Sequence, residues 1–330
     1  MNNKKREFKT LSFFFYITKN TKKSMNLDSR IFVAGHNGMV GSAIVRKLEQ
    51  LGYTNIITMQ RSKLDLLNQS EVDNFFRKMG PEYVFLAAAK VGGIKANRDM
   101  KADFIYENIM IQTNIIKSSY SYDVKKLLFL GSSCIYPKMC KQPIKEEYLM
   151  TGELESTNDA YAIAKITGIK MCQSYNQQYG TNFISAMPTN RYGTNDNYDL
   201  NNSHVLPAMI RKFHEAKLEG KGSVEIWGTG TPKREFLYVD DLADACVFLM
   251  NNYSGSEIVN IGTGQDVTIA ELAVGISKVI GYDGGIHFNT NMPDGTPRKL
   301  LDVSKLEKIG WKYSTSLKEG IEKTYKDYVK

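Results

Sequence analysis

The sequence predicts an α/β fold built on a parallel sheet, and three observations support that prediction. The chain of 330 residues is 42% hydrophobic, which is enough to bury a large core. From residue 30 onward, short apolar segments alternate with segments whose apolar residues recur at helical spacing. The first apolar segment, RIFVAG (30–35), leads directly into a glycine-rich turn and a helical pattern. Together these features are typical of a doubly wound parallel sheet with helices on both faces.

The elements of the first half follow in a regular order. Apolar or β-branched runs predict strands over 30–35, 55–60, 81–89, 125–133 and 182–190. The segments between them predict helices over 42–52, 70–79, 104–122 and 159–180, because their apolar residues recur at helical spacing. Gly52 and Gly180 mark the ends of two of these helices.

The pattern changes after about residue 191, where prolines, glycines and shorter elements become more frequent. Here we predict helices over 204–218, 241–252 and 268–281, and strands over 223–228 and 258–264. We therefore expect a Rossmann-type domain over 29–190, with later segments around 235–264 crossing back to it. Residues 191–330 are expected to form mainly a smaller α/β lobe that binds the substrate, and residues 1–28 an N-terminal extension.

The net charge of +8 is concentrated at the N-terminus. Residues 1–24 hold seven basic residues against one glutamate, so the rest of the chain is close to neutral and no nucleic-acid surface is expected. We expect the extension to be disordered. A targeting segment and a basic surface-docking tail remain alternatives, although LSFFFYI is short for a signal core and no small-residue cleavage site follows.

The remaining composition argues against a membrane protein and against a metal site. No apolar run approaches the roughly 20 residues of a membrane span. The four cysteines (Cys134, Cys140, Cys172 and Cys246) lack metal-ligand spacing and are too few for a disulfide scaffold in a chain of this length. We therefore predict reduced thiols, a cytoplasmic location and no bound metal.

The glycine-rich turn after the first strand predicts a dinucleotide site. Gly35, Gly38 and Gly41 form a GxxGxxG pattern between a strand and a helix. Glycines at such a turn let the backbone approach a pyrophosphate at the helix N-terminus. A merely structural turn is the alternative, and the strand–turn–helix context at the start of an alternating chain disfavours it.

The end of the second strand indicates which dinucleotide is bound. NAD sites usually carry an acidic residue there, about 20 residues after the glycines, but this chain has Arg61 and Lys63 in TMQRSK. An arginine pairs with a 2′-phosphate that a carboxylate would repel. We therefore predict NADPH/NADP+, with a solvated Arg61 as the alternative.

A tyrosine, a lysine and a serine predict carbonyl chemistry. Tyr161 and Lys165 share one helix face at i,i+4 spacing, and an ammonium nearby favours proton exchange by the phenol. Ser132 ends the preceding strand, and the set resembles the catalytic triad of short-chain dehydrogenase/reductases. From the residues alone Cys134 has two interpretations, a base that removes a carbon-bound proton or a small buried hydrophobic residue.

Several longer motifs carry a more specific resemblance. They include GSSCIYP, YAIAK, NSHVLP, PKREF and PDGTPRKLLD, and from about residue 30 to its C-terminus the chain resembles the GDP-L-fucose synthases of the extended short-chain dehydrogenase/reductases. The resemblance implies epimerisation at C-3 and C-5 of GDP-4-keto-6-deoxy-D-mannose, followed by reduction at C-4 with NADPH.

The resemblance also implies roles for individual residues. Cys134 is the base of the epimerisation and His204 its acid. Ser132 binds the C-4 oxygen, Tyr161 supplies its proton, and Lys165 assists the tyrosine and holds the nicotinamide ribose.

Two larger sets of binding residues follow from the same motifs. The expected cofactor contacts are Gly35, Asn37, Gly38, Met39, Val40, Gly41, Arg61, Ala87, Ala88, Ala89, Tyr161, Lys165, Pro188, Asn190 and His204. The expected substrate contacts are Ser132, Ser133, Cys134, Asn190, Lys212, Trp227, Arg234 and Lys299, with a solvated helix face as the alternative for Lys212.

The chain departs from the family pattern at two positions. Asn37 stands where an arginine is frequent, which predicts a weaker preference for NADPH over NADH. Arg191 stands where an apolar residue is usual, and the sequence offers no explanation for it.

Other functions remain as alternatives. A nucleotide-sugar 4-epimerase or 4,6-dehydratase shares the fold and the Tyr/Lys pair, but an acidic residue normally follows its second strand. A dinucleotide sensor would not need all five predicted catalytic residues. By resemblance we also expect a homodimer, formed through helices 104–122 and 159–180.

Overall fold

The computed structural model describes residues 25–200, 203–292 and 294–330. The prediction of a disordered extension therefore falls largely on residues 1–24, which lie outside the described residues. Met25 is buried against the main core, and its backbone nitrogen donates a hydrogen bond of 2.9 Å to Asn251 Oδ1. The packed part of the described chain thus includes Met25, before the predicted boundary at residue 28.

The strands and helices are numbered here in chain order. The strands are β1 (Ile31–Ala34), β2 (Ile56–Ile57), β3 (Tyr83–Leu86), β4 (Lys126–Leu130), β5 (Phe183–Pro188), β6 (Asn190–Tyr192), β7 (Ser223–Trp227), β8 (Lys233–Tyr238), β9 (Val259–Ile261), β10 (Asp266–Thr268), β11 (Gly285–Asn289) and β12 (Arg298–Lys299). The helices are α1 (Met39–Gln50), α2 (Gln69–Met79), α3 (Ile94–Asp99), α4 (Lys101–Ser121), α5 (Asp159–Tyr179), α6 (Val205–Leu218), α7 (Val239–Asn252), α8 (Ile269–Ile280), α9 (Ser304–Ile309) and α10 (Leu317–Tyr328).

The centre of the molecule is a six-stranded parallel sheet in the order β2-β1-β3-β4-β5-β9. The order reverses between β1 and β3, which opens a crevice at the carboxyl ends of these strands. This arrangement confirms the predicted Rossmann-type α/β fold.

Apolar residues on both faces of the sheet explain why its strands are continuous apolar runs. In β1, Ile31 and Val33 pack into one core, whereas Phe32 and Ala34 pack into the other. Successive side chains of a strand point to opposite faces. Helices therefore cover both faces, as expected for a parallel sheet.

A smaller lobe is built around β8. This strand pairs with β10, β12 and β6, and β7 pairs with β11 beside it. Phe236 and Tyr238 of β8 pack into the core of the small lobe, whereas Leu237 packs into a core of the main sheet. β8 thus lies between the two lobes, and α7 and β9 then return to the main sheet. The division of the chain into domains stays a prediction.

Local signals in the sequence fix the helix ends that matter for the site. The Asn68 side chain accepts hydrogen bonds from Ser70 N and Glu71 N at the start of α2, and Gly80 ends that helix in the left-handed conformation. Thr268 and Glu271 form a capping box on α8. By contrast, α1 begins at Gly38 without a side-chain cap, so its first amides remain available to a ligand.

One predicted strand is divided in the structure. The run predicted over 182–190 gives β5, which ends at Pro188, and β6, which begins at Asn190 and pairs with β8 of the small lobe. The chain therefore passes from one lobe to the other at Thr189. Among the described residues, no helix is long and apolar enough to cross a membrane.

Candidate active site

The glycine-rich turn lies at the crevice between β1 and β3. Gly35 has a φ of +87°, and a Cβ at that position would lie 2.7 Å from Ala88 N. A Cβ on Gly41 would overlap the carbonyl oxygen of Gly35. Both positions therefore require glycine, for a left-handed turn and for a close backbone approach. The turn is shaped as a cradle next to the uncapped start of α1.

The other predicted cofactor contacts lie mostly along this edge of the sheet. Asn37 is exposed on the turn, and Met39 and Val40 open α1 with their side chains against the core. Ala87, Ala88 and Ala89 follow β3, Pro188 ends β5, and Asn190 begins β6. The carboxyl ends of β1, β3 and β5 thus bring together residues that are far apart in sequence.

Arg61 lies beyond the end of β2, the strand next to β1. Its side chain is exposed, and no residue in the described part of the chain accepts a hydrogen bond from its guanidinium. The position fits the predicted role at a 2′-phosphate.

Ser132, Ser133 and Cys134 form the turn that follows β4. Ser132 Oγ accepts a hydrogen bond of 3.2 Å from Cys134 N, which starts a short 3₁₀ turn over Ser133–Ile135. Lys299 Nζ lies 3.5 Å from Cys134 Sγ. The thiol is therefore fixed by its own turn and by a cation from β12.

The charges around Cys134 outweigh the effect of its burial. Burial alone would raise the pKa of the thiol, but the charge of Lys299 and hydrogen bonds with Ser132 and Lys299 lower it, with a further contribution from Arg191. The net shift lowers the pKa of Cys134 below its ordinary value. A thiol with this environment has an increased thiolate fraction at neutral pH.

Tyr161 and Lys165 lie on the first turns of α5. Burial raises the pKa of Tyr161 to about 12, against the charge of Arg191 and a hydrogen bond with Ser132. The phenol is therefore protonated at neutral pH and is able to donate a proton. Since Ser132 contacts both Cys134 and Tyr161, it links the thiol and the phenol.

Lys165 is buried behind the tyrosine. Its Nζ donates a hydrogen bond of 2.8 Å to Leu130 O and lies 5.9 Å from the centroid of the Tyr161 ring. Burial, followed by the charge of Arg191, lowers the pKa of Lys165 to about 7. This ammonium loses its proton far more easily than a solvated lysine.

His204 caps α6 at the edge of the small lobe, where its side chain is exposed. Desolvation by the surrounding protein lowers the pKa of His204 to about 4, and the charges of Arg191 and Lys299 act in the same direction. The imidazole is therefore neutral at neutral pH in the ligand-free protein.

Four of the predicted substrate residues form two groups in the small lobe. Arg234 of β8 pairs in register with Lys299 of β12, and Asp294 partly offsets the effect of burial on the guanidinium. Lys212 Nζ lies 5.6 Å from the centroid of the Trp227 ring, and 58% of that tryptophan is exposed. An exposed aromatic ring with cations nearby suits a base and its phosphates.

A cavity of about 60 Å³ opens beside the thiol. Its lining includes Ser133, Cys134, Gln142, Asn158, Arg298 and Lys299. Most of these residues offer polar groups, which suits a hydroxyl-rich ligand.

Sequence reasoning named Lys299 and Arg191 without the contacts or charge effects that the structure gives them, and it missed Glu235 entirely. Lys299 was predicted only as a substrate contact, whereas the structure places it on the Cys134 sulfur. Glu235 is buried, and its carboxylate accepts hydrogen bonds from Thr263 N (2.6 Å) and Leu301 N (3.0 Å), which fixes the segment after Lys299. The positive charge of Arg191 helps to lower the pKa values of Cys134, Lys165 and His204, and it opposes the rise in the pKa of Tyr161. Its position next to Asn190 was the available signal in the sequence.

Comparison with known proteins identifies the family. A family model described as the NAD dependent epimerase/dehydratase family matches residues 31–262. GDP-L-fucose synthase 1 of Arabidopsis thaliana is 59% identical over 302 residues, covering 92% of this chain and 94% of that protein. GDP-L-fucose synthase of Escherichia coli (strain K12) is 53% identical over 305 residues, covering 90% and 95%.

A solved structure supports the same assignment. The crystal structure of a GDP-L-fucose synthetase from Naegleria fowleri bound to NADP superposes with a TM-score of 0.86 at 26% identity, covering 93% of this chain and 95% of that one. The chain therefore belongs to the NAD dependent epimerase/dehydratase family and, within it, to the GDP-L-fucose synthases.

Proposed function

We propose that this protein converts GDP-4-keto-6-deoxy-D-mannose into GDP-L-fucose, by epimerisation at C-3 and C-5 followed by NADPH-dependent reduction at C-4. The observation that carries the proposal is the position of Cys134. A thiol with a lowered pKa shares a turn with the serine of a carbonyl reductase and packs against its tyrosine. A simple reductase has no use for such a base, whereas an epimerase that acts next to a carbonyl requires one.

The residues at the sheet edge fit a nicotinamide dinucleotide. Gly35 and Gly41 leave space that any Cβ would fill, and α1 begins there without a side-chain cap. Arg61 would hold the 2′-phosphate of NADPH, while Lys165 and the Pro188–Asn190 segment would hold the nicotinamide end. When bound, this cofactor supplies the hydride for C-4.

The epimerisation uses acid–base chemistry on either side of a keto sugar. Cys134 in its thiolate form removes the proton from C-3 or C-5, and the electron pair of the broken C–H bond moves onto the C-4 oxygen as an enolate. Ser132 donates a hydrogen bond to that oxygen and stabilises its charge. His204 in its protonated form returns a proton to the carbon on the opposite face, which inverts the centre.

The reduction uses the protonated phenol of Tyr161. As the C-4 carbonyl becomes an alkoxide, Tyr161 donates its proton to the oxygen. The high pKa of the buried phenol ensures that the proton is present beforehand. Lys165 next to it, with a pKa of about 7, is suited to replace that proton.

The small lobe provides the groups that would bind GDP. Arg234 and Lys212 supply positive charge for the two phosphates, and the exposed ring of Trp227 offers an apolar face. Lys299 lies between these groups and the thiol, because it pairs in register with Arg234 and contacts Cys134. A substrate whose GDP part binds at Trp227 and Arg234 would therefore place its sugar at Cys134.

Product analysis with a thiol variant tests the proposal. Purified protein is incubated with GDP-4-keto-6-deoxy-D-mannose and either NADPH or NADH, and the sugar product is identified by NMR. We expect GDP-L-fucose from the parent, with faster turnover on NADPH. Cys134→Ser should lower its formation by about 10²–10⁴-fold, the usual contribution of a general base.

A second cysteine provides the matched control. Cys140 is also a free, partly buried cysteine, and Cys140→Ser should leave the yield of GDP-L-fucose nearly unchanged. A parent protein that oxidises NADPH with this substrate but never inverts C-3 or C-5 would refute the epimerase half. No oxidation by a folded sample would refute the whole proposal.

The assembly that we propose is a homodimer formed through α4 and α5. Half-buried apolar side chains on the outer surface of α4, such as Ile105, Ile109 and Met110, support it. α5 also carries Tyr161 and Lys165, so dimerisation would hold the catalytic helix in place.

A further inference from the structure

Arg191 occupies the junction between the two lobes. It is the middle residue of β6, which begins where the chain leaves the main sheet after Thr189. In the parallel pairing of β6 with β8, Arg191 lies opposite Leu237. Residues opposite each other in a sheet share one face, and Leu237 packs into a core of the main sheet. Arg191 therefore lies on the face of β6 that is directed at the main lobe.

The neighbours of Arg191 in β6 confirm this orientation. Tyr192 is buried in the core of the small lobe, and the Asn190 side chain donates a hydrogen bond of 2.8 Å to Glu235 O. Because side chains alternate along a strand, both lie on the other face. The Arg191 side chain is thus separated from the small-lobe core and lies on the cleft side.

The guanidinium of Arg191 has no partner among the described residues. The side chain is only partly exposed, yet within the described residues no carboxylate forms an ion pair with it and no acceptor hydrogen-bonds to it. Burial raises the pKa of Asp196 to about 6, and the charge of Arg191 only partly opposes that shift. Within the described residues the two side chains form no ion pair. A partly buried charge without a partner is costly, so its presence beside a reaction centre points to a role in this chain.

Several charged and titratable groups influence the Cys134 thiol. Lys299 approaches from β12, Arg191 from β6 and Tyr161 from α5. Lys138, Glu155 and Arg298 line the same cavity. Lys138 forms an ion pair of 2.9 Å with Glu155, and Arg298 forms one of 2.6 Å with Asp266. Lys299 and Arg191 are therefore the cations that bear on the sulfur.

We propose that Arg191 is a positioning residue that acts through Cys134: together with Lys299, its unpaired guanidinium holds the sulfur as the proton-accepting base of the epimerisation. This inference rests on the function proposed above. Lys299 contacts the sulfur directly, and Arg191 adds its charge from β6, which pairs with the same strand β8 as the strand of Lys299. The charge of Arg191 also disfavours the protonated forms of Lys165 and His204. Arg191 therefore favours the thiolate of Cys134 and disfavours positive charge on these two neighbouring groups.

Alkylation of the thiol tests the inference without any substrate. The rate at which iodoacetamide labels Cys134 is measured against pH by peptide mass spectrometry, with Cys140 in the same sample as the reference thiol. We expect Arg191→Met to move the profile to higher pH and to slow labelling at pH 7.5 by roughly three- to tenfold, since one pKa unit is a tenfold change in thiolate. Lys299→Met should slow the labelling of Cys134 more than Arg191→Met does.

Two more variants separate charge from structure. Arg191→Lys keeps the charge and should keep the alkylation profile close to that of the parent. Arg191→Gln is a second neutral variant, which preserves a polar head if the methionine variant folds poorly. A profile for folded Arg191→Met or Arg191→Gln that coincides with the parent, while Lys299→Met shifts, would overturn the inference.

Exchange of carbon-bound protons supplies the second readout. The GDP-keto sugar is incubated in D₂O with NADP⁺, so that epimerisation proceeds without reduction, and deuterium at C-3 and C-5 is followed. We expect neutral Arg191 variants to slow the exchange by a factor similar to the loss in alkylation. Slower exchange with an unchanged alkylation profile would mean that Arg191 does not act through the thiol. Absence of exchange in the parent would instead refute the epimerase assignment, and the alkylation profiles would still decide the effect of Arg191 on the sulfur.

Discussion

Cys134 and Tyr161 lie in one pocket, yet the protein shifts their pKa values in opposite directions. The thiol has Lys299 at 3.5 Å, and its pKa is lowered. Among the described residues no cation hydrogen-bonds to the phenol oxygen, so burial dominates and raises the pKa of Tyr161 to about 12. One group is thereby prepared to accept a proton and the other to donate one, which is what two successive reactions at a single site need.

The pKa of His204 is shifted in the direction that does not suit its proposed role, because an acid must hold a proton before it can donate it. In the ligand-free cleft, desolvation and then the charges of Arg191 and Lys299 lower the pKa of His204 to about 4. Bound phosphates bring negative charge that offsets these cations. We therefore predict that the ligand raises the pKa of His204, and that the histidine becomes an effective acid only in the complex.

An NMR titration of the four histidines measures this effect. In the free protein the His204 signal, assigned by its absence in His204→Gln, should titrate well below pH 6. Addition of saturating GDP should move its midpoint up by roughly one pH unit. His214, which is paired with Tyr325 on the far side of the small lobe, serves as the internal reference. A midpoint near 6.5 in the free protein, or one that GDP leaves in place, would contradict the explanation.

The sequence predicted individual site residues unevenly, for physical reasons. Gly35 and Gly41 were predictable because a turn that admits no Cβ requires glycines at fixed spacing, which is a local sequence pattern. Tyr161 and Lys165 were predictable because helical spacing is also local. The contact of Lys299 with Cys134 joins residues far apart in the chain, through the two-residue strand β12, and no local pattern encodes it.

At the scale of elements, Lys126 connects a strand to a helix that follows much later in the chain. It begins β4, and its Nζ donates hydrogen bonds to the carbonyls of Leu249 (3.0 Å), Met250 (2.6 Å) and Tyr253 at the end of α7. The last carbonyls of a helix lack intrahelical partners. A buried lysine therefore replaces the usual glycine or solvent cap at this helix end, and burial lowers its pKa to about 8.

We predict that Lys126→Met destabilises the protein by about 1–3 kcal/mol, because buried carbonyls would lose their donor. The neighbouring exposed Lys125, which pairs with Glu82, is the matched control, and Lys125→Met should cost less than about 1 kcal/mol. Urea denaturation at pH 7 measures both. Equal losses from the two variants would show that the buried ammonium does not hold α7.

The same lysine gives a pH dependence with a definite sign. Its pKa is lower in the folded protein than the ordinary 10.5, so between about pH 8 and 10.5 the unfolded chain binds more protons than the folded one. Stability from this group therefore rises with pH across that window. The stability difference between parent and Lys126→Met should accordingly be larger at pH 9.5 than at pH 7.

The type of an element was predictable from the sequence where its hydrophobic periodicity was strong. Prediction failed where pairing with a distant strand determines where an element begins or ends. The helices predicted over 70–79 and 159–180 agree closely with α2 and α5. The division of the 182–190 run at Thr189 was not predictable, because both halves are apolar or β-compatible and only their partners differ. β5 pairs with β4 and β9, whereas β6 pairs with β8.

At the scale of the whole molecule, one helical face has no partner among residues 25–200, 203–292 and 294–330. α4 and α5 pack side by side, and Tyr120 of α4 stacks on Tyr179 of α5 with ring centroids 4.2 Å apart. Tyr106 and Ile163 on the same two helices remain exposed, Ile163 by 44%. Helices that are apolar beyond their buried stripe indicate a further contact surface.

We predict that the protein sediments as a dimer at micromolar concentration and that Ile163→Glu dissociates it. In a two-fold interface each residue is buried in both copies, so the substitution would place two uncompensated carboxylates in an apolar contact. Because α5 also carries Tyr161 and Lys165, dissociation should lower turnover about tenfold or more, through loss of alignment at the reaction centre. Leu218→Glu, at a position 73% exposed on α6 of the small lobe, should leave both the dimer and its activity intact. A parent that sediments as a monomer, or an Ile163→Glu protein that remains dimeric, would mean that α4 and α5 do not form the interface.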